Sequence, residues 1–376
     1  MTVVHIGKYY WPYQRGIETY LKLLCERLIE ACELDVLVAN TCRRTVCETI
    51  NGVNVTRLGR LAEINSTSFC LQLPARLRRL RPDIVHIHLP NPWAEWCYFA
   101  AGCPGRLVVS FHSDIIRQKM LLRLHAPLHR RFLAKAARII VATPRHIEFS
   151  PFLAALPPER CTVIPYGIDI AQYQATDEVT KRAAELRRQL GTPLVLFVGH
   201  LVYYKGIDVL LAALRDLNAQ VAIVGRGPLE QPLRARAAAL GVAARTHFLG
   251  EVDERELVAL YHACDVFCLP STQRSEAFGM VQLEAFASGK PVVSTNLPSG
   301  VPWVNQHGQT GLIVEPGNAP ALAAALTRLL ADDDFRAACG QRAYQRVQRE
   351  FGADRMAAAT LQVYQEVIGD QSTAMH

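Results

Sequence analysis

The chain has 376 residues, half of them hydrophobic and a fifth charged, with a formal net charge of +7. That length suits two domains, and that composition excludes global disorder. No uninterrupted apolar run reaches the roughly 18 residues of a membrane-spanning helix, so none is expected.

The first residues, MTVVHIGKYYWPY, read as a strand entering a loop, without the basic and apolar regions of a leader peptide. Further strands are expected at Leu34–Ala39, Val53–Arg57, Ile84–His88, Leu107–Phe111, Ile139–Ala142 and Thr162–Ile164, alternating with helical stretches such as Ile17–Glu30. This half is basic: residues 1–170 hold 22 Lys and Arg against 13 Asp and Glu. The excess gathers in RLRRLR, Arg76–Arg81, and in Arg117–Arg138, where Arg, Lys and Leu interleave at helical spacing. Such stretches are either solvated helix faces or a surface for an anionic bilayer or a lipid diphosphate. No nucleic-acid module is recognisable, so nucleic acid is not an expected partner.

Pro165–Asp169 and Gly191–Pro193 bracket the boundary between the halves. Beyond it, strands are expected at Leu194–Gly199, Gln220–Val224, Thr246–Leu249, Val266–Leu269, Pro291–Ser294 and Gly311–Val314, with helices between them, Gly206–Leu217, Leu229–Leu240, Glu254–Ala263 and Ala319–Leu330 among them. Alternation of this kind specifies parallel α/β sheets. Residues 3–21 and 194–211 echo each other: strand, glycine, tyrosine-bearing loop, Gly-Ile-acid, helix. Two related Rossmann-like domains follow, 1–170 and 171–352, facing each other across a cleft, with a last helix in 353–376 crossing back to the first domain. The eleven cysteines are scattered and never spaced CxxC, which reads as reduced thiols in a cytoplasmic protein.

The most informative segment is PSTQRSEAFGMVQLEAFASG, Pro270–Gly289. A strand ends at Leu269, a polar loop follows, and a helix is expected to begin near Phe278–Gly279. Its first amides, Gly279, Met280 and Val281, suit a diphosphate, with Glu276 placed for sugar hydroxyls and Glu284 for a ribose diol. Two glutamates eight apart are also common at solvated helix starts, and the segment alone leaves both readings open.

Its surroundings narrow the choice. Glu276, Glu284 and the AFASGKPVVST that follows resemble the acidic signature of retaining GT-B glycosyltransferases of family 4. GHLVYYKG (Gly199–Gly206), VGRGP (Val224–Pro228), PYGID (Pro165–Asp169) and GQTGLIVEPG (Gly308–Gly317) resemble further blocks of that family in the expected order. The resemblance implies a GT-B fold and transfer of a sugar from a nucleoside-diphosphate sugar. It implies that Lys205 neutralises the donor diphosphate, Glu276 holds the transferring sugar, Glu284 holds the ribose, and Gly16 lies near the diphosphate. His200 stands where the family usually has arginine, with Arg226 or Arg274 as compensating cations. His112, in FHSD after the strand Leu107–Phe111, falls at the family's position near the anomeric carbon, and the implied catalytic pair is His112 and Glu276.

Acceptor contacts are expected from His88, Asn91, Ser113 and Asp114. His86 and His88 share one face of a strand, which is too little for a metal site. No metal and no cofactor is expected. PSGVPWVN, Pro298–Asn305, and the His-Ser-Asp block resemble bacterial enzymes that assemble surface polysaccharides on lipid-linked or oligosaccharide acceptors. GDP-mannose is the first expected donor, ahead of UDP-hexose and UDP-N-acetylhexosamine, with work done at the inner face of the plasma membrane. A nucleotide-sugar epimerase and a non-catalytic sugar-nucleotide-binding protein are the alternatives. An NAD(P) dehydrogenase fits poorly, because no tight GxGxxG follows the first strand.

Overall fold

The computed structural model describes residues 1–13, 16–114 and 119–369, without the side chains of 119–122. Arg15 and Arg117 lie outside the described residues. The chain divides into two compact units, Met1–Gly167 with Ala353 onward, and Ile168–Gly352. The first division falls between Gly167 and Ile168, three residues before the expected one.

The sheet of the first unit runs, edge to edge, Cys161–Val163, Arg138–Val141, Arg106–Phe111, Ile84–Leu89, Thr2–Ile6, Glu33–Ala39, Val53–Leu58 and Val46–Ile50. All neighbours are parallel except the last pair. The apolar strands are those expected from sequence, because a strand covered on both faces reads as a continuous hydrophobic run. Val46–Ile50 (VCETI) was not expected: it is a solvent-facing antiparallel edge with almost no burial to pattern it. A short hairpin, Ala62–Ile64 with Thr67–Phe69, also carries too little apolar signal. The helix Ala353–Gly369 belongs to this unit; it packs on the helix Gly16–Leu28, and Arg27 pairs with Asp354 at 2.8 Å.

The sheet of the second unit has the order Thr246–Gly250, Gln220–Val224, Leu194–Val198, Val266–Leu269, Val292–Thr295 and Gly311–Val314, all parallel. This is the doubly wound order, whose direction reverses between the strands Leu194–Val198 and Val266–Leu269. The corresponding reversal in the first unit falls between Thr2–Ile6 and Ile84–Leu89. Ligands of such sheets bind beyond the carboxyl ends of the strands that flank the reversal.

Candidate active site

In the second unit the two loops at the reversal are Gly199–Gly206 and Pro270–Gly279. They bring Lys205 and Glu276 together. Lys205 Nζ lies 2.6 Å from Glu276 Oε2, with the two side chains 11% and 10% exposed. Glu276 also accepts from Ser271 Oγ at 3.1 Å. The loops meet because Gly206 is left-handed (φ +66°) and a Cβ there would stand 2.0 Å from the Pro270 carbonyl oxygen. Burial opposes the charge on Lys205, but attraction to Glu276 and the hydrogen bond with it outweigh that cost and hold the ammonium above its ordinary range.

Glu284 accepts a hydrogen bond from Tyr261 Oη at 2.8 Å. Burial raises its carboxyl, against the opposing pull of Tyr261 and Lys205. The helix that carries it is Val281–Ala287, two residues later than expected, so Glu284 sits in its first turn. Gly279 delays the start: its φ is +76°, outside the helical region, and a Cβ there would meet Leu269 and Gln282 at 2.7 Å. Met280 takes the N-cap position, and the helix is short. Its contribution to an anion site is therefore its first amides more than any dipole. His200 is exposed, as is Arg226, and their loops pair through Leu201 N–H to the Arg226 carbonyl at 2.9 Å. A guanidinium thus stands on the loop beside the one where His200 replaces an arginine.

In the first unit the predicted residues sit in an unexpected arrangement. His5 pairs in register with His86 on the neighbouring strand, and His88 with Ser110 on the next. An unbroken line of hydrogen bonds runs through them. Tyr166 Oη meets His112 Nδ1; His112 Nε2 meets His88 Nδ1 at 3.1 Å; His88 Nε2 meets His5 Nδ1 at 3.0 Å. His5 Nε2 meets Tyr364 Oη at 3.1 Å, Tyr364 Oη meets His86 Nδ1 at 2.5 Å, and His86 Nε2 meets Ser110 Oγ at 2.8 Å. Every member is buried. A neutral imidazole donates at one nitrogen and accepts at the other, so His112, His88 and His5, which meet nitrogen to nitrogen, must all donate in one direction. The tautomer of His112 is thereby coupled to that of His5 through two bonds. Burial holds all four imidazoles neutral, with His5 and His112 lowered to about 3 and His86 and His88 well below their usual range.

His112 is 3% exposed with both ring nitrogens engaged, so its ring is a held, neutral group and not a free acid or base. His88 is equally enclosed, between His5 and His112. His5, His86 and His88 offer nitrogens close enough for one cation, but they are three imidazoles without a carboxylate among them, and Tyr364, Ser110 and His112, outside the group, hold four of their six ring nitrogens. Asn91 caps the helix Pro92–Ala100 by accepting from the Ala94 amide, and Asp114 accepts from Ser150 Oγ at 2.8 Å. Ser113 is half-buried, and Gly16 is exposed at the start of its helix with open space where a Cβ would be. Sequence reasoning missed His5, Ser110, Tyr166 and Tyr364; the histidines within the apolar strands VVHI and IVHIH were the available signal.

Known proteins share this sequence pattern and this architecture. The glycosyltransferase family 4 model matches residues 14–172, and the model for glycosyl transferases group 1 matches residues 179–346. A D-rhamnosyltransferase of Pseudomonas aeruginosa is 39% identical over 305 residues, 80% of this chain and 79% of that protein. The O-antigen chain mannosyltransferase C of Escherichia coli is 31% identical over 99% of this chain and 100% of its own length. Among solved structures, a sucrose-phosphate synthase from Thermosynechococcus elongatus superposes with a TM-score of 0.82 at 21% identity, covering 98% of this chain and 99% of that one. Two Rossmann-like domains with such likenesses define a glycosyltransferase of the GT-B fold. The chain belongs to glycosyltransferase family 4, the group 1 glycosyl transferases.

Proposed function

We propose that this enzyme moves a hexose, mannose first, from a nucleoside-diphosphate sugar to a lipid-linked or oligosaccharide acceptor in cell-surface polysaccharide synthesis, with retention and without a metal. The observation that carries the reading is the Lys205–Glu276 pair at the sheet reversal, with Glu284 behind it. A buried ammonium there matches the charge that develops on a leaving diphosphate, and it is preorganised by its partner before the donor arrives. Glu276 is then placed to accept hydroxyl hydrogen bonds from the sugar, and Glu284 those of the ribose. Arg226 and the amides of Gly279, Met280 and Val281 add to the diphosphate's surroundings. His112, in the first unit, is fixed and held neutral by its line of neighbours.

The full-length likeness to an O-antigen mannosyltransferase favours GDP-mannose over UDP-hexose and UDP-N-acetylhexosamine. The likeness to a D-rhamnosyltransferase favours, as a second reading, a 6-deoxy sugar of the same manno configuration. Among the described residues no helix is long and apolar enough to cross a membrane. A lipid-linked acceptor is reached instead through the basic first half, at the inner face of the plasma membrane. Here the helices Leu73–Leu80, Pro92–Ala100 and Lys119–Lys135 pack side by side and expose Arg78, Arg79, Arg123, Trp96 and Leu124. Basic and apolar groups together suit an anionic bilayer.

Thermal stabilisation by GDP and UDP, followed by acceptor-dependent release of the nucleoside diphosphate, tests the proposal. GDP is expected to raise the melting temperature more than UDP, and GDP-mannose to yield GDP only when a lipid-linked acceptor extract is present. Release from a UDP-sugar alone, or no dependence on acceptor, overturns it.

A further inference from the structure

The helices Pro92–Ala100 and Lys119–Lys135 meet at three side chains that no part of sugar transfer uses. Glu95 Oε2 lies 2.9 Å from His125 Nε2 and 2.9 Å from His129 Nδ1. One oxygen of Glu95 and one nitrogen of each histidine all fall within 4.8 Å of one another. His125 and His129 stand one helical turn apart and so project from one face of their helix, with Pro127 between them. Glu95 is 0% exposed, His129 is 5% exposed and His125 is 17% exposed. The cluster therefore has a closed floor and one side open to solvent. Aromatic groups line the floor: Phe152 packs edge-on to His129 with centroids 4.7 Å apart, and Phe111 lies beyond it at 6.4 Å.

We propose that Glu95, His125 and His129 form a binding site for one divalent transition cation, zinc foremost. Two imidazoles and a carboxylate are the ligand set of open zinc sites, in which water fills the remaining position. At zinc–ligand distances of about 2.0–2.1 Å, ligands 90–109° apart stand about 2.9–3.4 Å from one another, and both histidine nitrogens lie 2.9 Å from Glu95 Oε2, at the near end of that range. A second observation points the same way. Glu95 Oε1 is buried without a hydrogen-bond partner, although both histidines crowd onto Oε2. A carboxylate held only for structure normally satisfies both oxygens. A cation between the three groups takes the lone oxygen as well, either directly or through a bound water.

The site has a place in the enzyme's architecture. Glu95 lies on the helix that Asn91 caps, directly after the strand bearing His88. Phe111, against His129, is the residue before His112. A cation here pins the two helices whose preceding loops carry Asn91 and His112–Asp114, and it does so on the face that exposes Trp96 and Leu124. Its role is to hold an acceptor-side surface in shape, and it stands apart from the donor chemistry at Lys205.

The test is zinc content and affinity of the full chain. Protein stripped with chelator, then titrated with zinc chloride and dialysed, is expected to retain one zinc per chain and to melt at a higher temperature. Cobalt in its place is expected to give visible ligand-field bands without the thiolate charge-transfer absorption that the free cysteines, among them exposed Cys42 and Cys47, would produce. His125→Gln, at the half-open position, and Glu95→Gln are each expected to weaken zinc binding more than about a hundredfold, beyond what loss of an outer-shell partner causes. Circular dichroism confirms that each variant is folded. Substoichiometric zinc in the native chain, a thiolate cobalt spectrum, or undiminished binding in folded His125→Gln overturns the proposal.

Discussion

Glu276→Gln separates the structural role of the Lys205–Glu276 pair from its role toward the donor. At 2.6 Å and an effective dielectric near 20, the attraction is about 6 kcal/mol before desolvation is counted. Both groups are nearly buried, so removing the carboxylate strands the ammonium, a loss of about 3 kcal/mol. For a unit the size of Ile168–Gly352, that lowers the melting temperature by about 6–12 °C. Adding Lys205→Met removes the stranded charge, and the double variant is expected to melt above Glu276→Gln. The diphosphate reading adds a less obvious consequence. In Glu276→Gln, a bound nucleoside diphosphate supplies the anion that Lys205 has lost. GDP or UDP should therefore stabilise this variant more than the native enzyme, while transfer of the sugar disappears. Scanning calorimetry with and without each nucleotide, beside a transfer assay, reads all of these at once. A nucleotide shift in Glu276→Gln no larger than in the native enzyme refutes the placement of the diphosphate at Lys205. An unchanged melting temperature without nucleotide refutes the energetics of the pair.

Acid should destabilise the first unit well above the range where carboxylates titrate. His5, His86, His88 and His112 are neutral when folded and take up protons near 6.5 when unfolded, so the unfolded state binds more protons as pH falls through 6.5. Each imidazole removes about 1.4 kcal/mol of stability per pH unit below 6.5, down to its folded value of about 3 for His5 and His112. A melting temperature that stays level between pH 7 and 5.5 contradicts this. On the proposed docking face, Arg78, Arg79 and Arg123 are exposed, and so are Arg130 and Arg131, whose guanidinium groups lie over Phe152 and Phe99. Changing the first three to Gln removes about 1 kcal/mol each and should weaken binding to phosphatidylserine vesicles roughly a hundredfold. Donor hydrolysis should persist, and unchanged vesicle sedimentation argues against the docking face.

What was legible in the sequence was what short-range pattern encodes. Continuous apolar runs marked the buried parallel strands, and glycine-rich blocks marked the loops at the reversal of the second sheet. Lys205, Glu276 and Glu284 were named one by one from their blocks. Their pairing was not, because nothing in a linear pattern says that the loop ending at Gly206 touches the one starting at Pro270. Gly279 was legible as the expected helix start, but its left-handed backbone moves that start to Val281, with crowding at Leu269 and Gln282 that no linear pattern carries. The line through His112 was further from view. His86 and His88 were visible as a same-face pair, yet Tyr364, which joins His86 to His5, comes from 278 residues away on the helix Ala353–Gly369. The same separation hid Glu95, which stands 30 residues from His125 on another helix. In both cases a histidine that looks bland alone gains its meaning from a partner brought by tertiary packing. Such partners fix whether a ring is charged, which way it donates and whether a cation fits beside it, and these are the properties that decide its chemistry.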